Sequence, residues 1–121
     1  MGENKDYITH PDEKGSINIS EEVISVIAAT AALETEGVAA LSGGLDISEL
    51  LGKKNLSKGV RIAVEGESVK VDLWMTVKLG VSVNNVGKSV QEAVASGIES
   101  MTGFKVTEVN VHIIGVNLGR K

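Results

Sequence analysis

Val60–Leu79, VRIAVEGESVKVDLWMTVKL, alternates apolar and polar residues on both sides of Glu65-Gly66-Glu67-Ser68. Val60, Ile62 and Val64 form one arm; Val69, Val71, Leu73, Met75, Val77 and Leu79 form the other. A repeat of two is the pattern of strands that bury one face. Gly66, in the first central position of the turn, can adopt the positive φ that a type II′ hairpin requires. Pairing across the turn sets Val64 opposite Val69, Ile62 opposite Val71 and Val60 opposite Leu73. It also sets Arg61 opposite Asp72 on the other face, a favourable cross-strand charge pair. A slip of one residue would spoil both sets, so the register is fixed by the pattern itself.

Downstream, a helix is expected to begin near Asn84 or Asn85, both good caps. Val86, Val90, Ala93, Val94, Gly97 and Met101 then follow at helical spacing, with Lys88, Glu92, Ser96 and Glu99 on or near the opposite side. Gly103 should end it, with Phe104 folding back onto Ile98. The last strand carries Val109, Val111 and Ile113. Its alternation breaks once after Val106, which predicts a bulge or bend at Thr107-Glu108.

Upstream, Ile17 and Ile19 alternate with polar residues as a short strand, and Ser20 caps a helix whose first turn holds Glu21 and Glu22. Val23, Ile24, Ile27, Ala28, Ala31 and Ala32 carry it to about Glu36, with Gly37 as the stop. Val38–Leu41 can pair as a strand. Residues 42–58 read as a polar, glycine-rich loop carrying a short helix, and residues 1–14 as a mobile polar tail. The expected fold is α+β: a single domain over 15–118, built as a two-layer sandwich. A mixed, mainly antiparallel sheet carries two helices packed on one face.

The bulk composition excludes several classes of function. A chain of 121 residues with 42% apolar content supports one core. Tyr7, Trp74 and Phe104 are its whole aromatic set, too few for a base-stacking platform. A net charge of -4 gives no general attraction to polyanions, and the lack of cysteine removes disulfides and thiolate metal sites. The first fourteen residues lack a secretory apolar core, and no run of about 18 apolar residues occurs. A cytoplasmic protein without direct membrane insertion is expected.

Catalytic chemistry is hard to assemble from these residues. His10 and His112 have no second ligand at metal spacing. No serine sits in a Gly-x-Ser-x-Gly elbow, and the glycines form no phosphate-binding loop. No catalytic, cofactor-binding or metal-binding residue is expected, and no cofactor. Lys53, Lys54, Lys58 and Arg61 form a candidate anion-binding patch, which would suit a small nucleic-acid-binding module. The stronger reading is a solvated loop balanced by Asp46 and Glu49, with nucleic acid not an expected partner. A candidate partner-binding surface is apolar instead. Trp74, between Asp72 and Thr76 on the second arm, should share the outer sheet face with His112, Ile114 and Val116 of the last strand. Exposed apolar patches of this kind mark association surfaces, unless the tail or the 42–58 loop covers them.

The order of these segments resembles the alkaline shock protein family of Gram-positive bacteria. The resemblance rests on Gly15-Ser-Ile-Asn-Ile-Ser-Glu-Glu-Val-Ile24, Glu36-Gly-Val38 and Gly43-Gly44. It continues through Lys58-Gly-Val-Arg-Ile62, Val69-Lys-Val-Asp-Leu73, Gly80 and Val90-Gln91, and closes with Met101-Thr-Gly-Phe-Lys-Val106 and Val109-Asn-Val111. It covers about residues 15 to 116. Leu79 departs from it, standing before Gly80 where a tyrosine is frequent. The resemblance implies a non-enzymatic, self-associating cytoplasmic protein linked to envelope homeostasis and stress response. It implies a homo-oligomer and, for some relatives, attachment at the membrane through a separate small anchor protein. It brings no catalytic residues.

Overall fold

The computed structural model describes residues 7–41 and 59–119. In chain order these form β1 (Tyr7–Asp12), β2 (Gly15–Ser20), α1 (Glu21–Leu33), β3 (Val38–Leu41), β4 (Val60–Glu65), β5 (Ser68–Lys78), α2 (Val83–Thr102) and β6 (Lys105–Asn117). The β4–β5 hairpin adopts the register set by its sequence, from Val64 opposite Val69 to Val60 opposite Leu73, with Arg61 opposite Asp72. Gly66 turns it with φ of +63°.

Strand β5 is the axis of the sheet. β4 pairs antiparallel along Ser68–Leu73 and β3 antiparallel along Met75–Val77, so the two share one edge of β5 end to end. β6 runs parallel along the other edge from Ser68 to Lys78. The parallel pairing needs a crossover, and α2 supplies it. Val69, Val71, Leu73, Met75 and Val77 are buried on one face of β5. Each such side chain contributes about 1.5–3 kcal/mol on leaving water, so this row demands a cover. Both helices provide it, α1 with Ile24, Ala28, Ala29 and Ala32, and α2 with Val86, Val90, Val94 and Ile98. The result is the expected two-layer α+β sandwich.

The helix ends show which capping residues were chosen. The Ser20 hydroxyl accepts from the Val23 N–H at the start of α1. For α2 the cap is Ser82, which accepts from the Asn85 N–H, rather than Asn84 or Asn85. At its far end Gly103 takes φ of +80° and donates to the Glu99 carbonyl at 2.9 Å. The Thr102 hydroxyl donates to the Ile98 carbonyl and accepts from the Phe104 N–H, which turns Phe104 into the core.

Three boundaries differ from the sequence reading. α1 ends at Leu33, before Glu36, and Gly37 is a packing glycine rather than the helix stop. Residues 7–12, read as part of the tail, form β1 and pair with β2 around Glu13-Lys14. Pro11 is tolerated there because a two-stranded ribbon has edges at which a missing N–H goes unnoticed. β6 has the expected bulge at Thr107 and a second one at Ile114, between the Met75–Ile113 and Thr76–Gly115 pairs. The expected short helix in 42–58 lies outside the described residues.

Gly37 has φ of +98°, and a Cβ added to it would stand 2.5 Å from Val86 Cγ2 of α2. Gly80 has the same φ but open space around it. Gly37→Ala should therefore cost about 2–4 kcal/mol, from backbone strain plus overpacking. Gly80→Ala should cost only about 1–2 kcal/mol, from strain alone. Urea unfolding midpoints of the two variants check the order; equal losses would show that the Gly37–Val86 contact does not matter.

Candidate interaction surface

The face of the sheet turned away from the helices carries the alternate residues of each strand. These are Arg61 and Ala63 on β4, Lys70, Asp72, Trp74 and Thr76 on β5, and Glu108, Asn110, His112 and Gly115 on β6. Trp74 and His112 are register partners across the parallel pair. Their rings stack with centroids 4.8 Å apart and planes within 15°. The Arg61 guanidinium lies over the same indole, 5.5 Å from its centroid. His112 Nε2 stands 3.3 Å from Asp72 Oδ1. Three strands thus bring four side chains into one cluster.

Each contact follows from the pleat. Arg61 is opposite Asp72, so its long side chain can reach diagonally to Trp74, one repeat along β5. A cation over an indole is worth about 0.5–1 kcal/mol at exposed sites, and an aromatic stack about 0.5–1.5 kcal/mol. Those energies orient the rings while leaving them at the surface. The Lys70–Glu65 pair at 3.9 Å is exposed and adds little.

The four residues expected to form a partner-binding patch do not all meet. Trp74 and His112 do. Ile114 is the extra residue of the second bulge and is 55% exposed. The bulge shifts the alternation by one, so Val116 pairs with buried Val77 and belongs to the opposite face. The patch is therefore an aromatic pair framed by charges, smaller and more polar than expected. A second exposed apolar group, which sequence reasoning missed, lies where β5 and β6 end. The Leu79 N–H donates to the Asn117 carbonyl, and Leu79 and Leu118 line a shallow recess of about 420 Å³ with Ala39 and Lys78. The signal was present in the unpaired leucines at both strand ends, but only the parallel pairing brings them together.

Of the anion-binding candidates, Lys53, Lys54 and Lys58 lie outside the described residues, and Arg61 is engaged with Trp74. Among the described residues no group of three or more His, Asp or Glu is placed to hold a metal ion. No helix of the described residues is long and apolar enough to cross a membrane.

Residues 9–118 match the alkaline shock protein 23 family, whose function is described as cell envelope-related. The chain belongs to this family. It is the group that the sequence resembles, and the match reaches into β1. The chain is similar to the uncharacterized proteins YqhY and YloU of Bacillus subtilis strain 168. YqhY is 37% identical over 109 residues, covering 88% of this chain and 81% of that protein; YloU is 32% identical over 108 residues, covering 86% and 90%. A third relative, Spy1614 of Streptococcus pyogenes serotype M6, is 30% identical over 86% of this chain and 89% of its own length. Among solved structures, the zinc form of a MamM CTD variant, D249N, superposes with a TM-score of 0.51 at 14% identity, covering 84% of this chain and 91% of that one. The copper form of MamM CTD also gives 0.51, at 15% identity, covering 83% and 90%. At such identity the likeness shows a shared fold alone.

The stack predicts that Trp74 and His112 are energetically coupled. A double-mutant cycle with Trp74→Ala and His112→Ala, read by chemical unfolding, should give a coupling of about 0.5–1.5 kcal/mol. Additive losses would mean that the rings are neighbours without an attraction.

Proposed function

We propose that the chain is a non-enzymatic scaffold protein on the cytoplasmic side of the cell envelope. It self-associates and docks on a membrane-associated partner, and its contact surface is the open sheet face around Trp74. The observation that carries this reading is the stacked Trp74–His112 pair, held with Arg61 on the one sheet face that α1 and α2 leave uncovered. Tryptophan and arginine are the residues most enriched among energetic centres of protein interfaces, where surrounding groups exclude water from them. A ring stacked on His112 and overlaid by Arg61, in the middle of three strands, suits that use, since contacts already made leave less side-chain freedom to lose on binding.

The family's cell envelope-related function agrees with a docking role. The partner expected from the alkaline shock resemblance is a small membrane-anchor protein, which would place this chain at the membrane without insertion.

Light scattering over a concentration series tests self-association. The mass should rise above the monomer, and Trp74→Ala should weaken association about tenfold or more. A monomer at every concentration, unchanged by Trp74→Ala, would contradict the reading. Sedimentation of cell lysates tests docking: membrane-bound protein should be released by Trp74→Ala without loss of fold.

A further inference from the structure

Among the described strands β6 pairs with β5 alone and so is an edge strand, and the two halves of its outer edge are treated differently. In the first half, side chains of α2 occupy the outward backbone groups. Glu99 Oε2 accepts from the Val106 N–H at 2.9 Å, and Gln91 Nε2 donates to the Val109 carbonyl at 3.0 Å. The Thr107 bulge lies between them, and bulges and covered groups are how natural sheets blunt an edge. Beyond Val109 the devices stop. From Val109 to Gly119 there is no Asp, Glu, Lys or Arg, the residues that usually discourage edge pairing.

Backbone groups alternate in direction along a strand. Since the Val109 carbonyl points outward, those of Val111 and Ile113 do too, with their N–H groups, while Asn110 and His112 serve β5. On the helix side of this edge, Val111 and Ile113 border a groove of about 390 Å³ whose other wall is Val83, Gly87 and Gln91 of α2.

We propose that this edge pairs with the same edge of a second copy, antiparallel, about a twofold axis at His112. The proposal rests on the self-association read above and names where it occurs. In this register Val111 of each copy exchanges both backbone hydrogen bonds with Ile113 of the other. Paired residues share a face, so these side chains of the second copy lie over the groove beside α2. On the open face the two copies of His112 come directly opposite, at the close separation of a non-hydrogen-bonded pair. Each His112 already stacks on its own Trp74, so the two pairs become one row of four rings across the axis. Charge agrees with this occupant: Val109 to Val116, the span paired in each copy, holds no Asp, Glu, Lys or Arg, so no like charges meet along the two strands. The aromatic patch and the bare edge are then parts of a single interface.

Amide hydrogen exchange at Val111 and Ile113, measured with mass over a dilution series, tests the pairing. In the associated protein both amides should exchange about tenfold or more slowly than in the dilute monomer. The Val106 amide, already bonded to Glu99, should change less. His112→Lys places an ammonium beside Asp72, where it has a partner within its own copy, but sets two ammonium groups face to face across the axis; it should remain folded and lose both the mass increase and the protection. Association that leaves the Val111 and Ile113 amides unchanged, or that survives in His112→Lys, overturns the edge pairing while leaving self-association standing. A chain that never exceeds monomer mass, as expected if the edge receives a strand from another protein, overturns both.

Discussion

Strand β5 is paired along both edges for most of its eleven residues while one of its faces is completely removed from water. Those two conditions govern the rest of the molecule. Val69, Val71, Leu73, Met75 and Val77 require a continuous apolar cover, and the chain has only two helices among its described residues with which to provide it. Both go to the same side. Nothing of the described layers is left for the other face, and Trp74 stands there in the middle of the central strand. Its outward position is a direct consequence of how β5 is used.

The cover is held by close approaches that leave little room for adjustment. Gly37 meets Val86 at the base of α2, and Gly97 of α2 faces Ala31 and Ile27 of α1 within ordinary contact distance of a missing Cβ. At the other end, the Thr102 hydroxyl and the left-handed Gly103 swing the chain from α2 directly into Phe104 and β6. That turn fixes where β6 starts and, together with the bulge at Thr107, sets the alignment of His112 with Trp74. Helix packing on one face thus sets ring stacking on the other.

Much of this was legible in the sequence, and the misses have physical causes. The β4–β5 register could be read because alternation and a turn glycine agree within one hairpin. The α2 stop and the first β6 bulge were readable for the same local reason. The second bulge was hidden because Ile113-Ile114-Gly115 contains no polar residue to mark the change of face, and this misplaced Val116. β1 was hidden by its polarity and by Pro11, which argues against a strand except at an edge. At the start of α2, Ser82, Asn84 and Asn85 are all competent caps, and only the three-dimensional turn decides among them. The Trp74–His112 pair was anticipated from shared parity, but its stacking and Arg61's place over it depend on a parallel pairing between residues 38 apart in the chain.

The central claim is that the open face of β5 is where this protein meets its own copies. Trp74 is the only tryptophan in the chain, so its fluorescence reports on that face alone. Emission and mass recorded on the same samples across a dilution series compare the face with the assembly directly. The account predicts that the emission maximum shifts to the blue in step with rising mass, as the indole loses water. A mass that rises while the emission stays fixed would contradict it, because association would then be taking place elsewhere on the molecule.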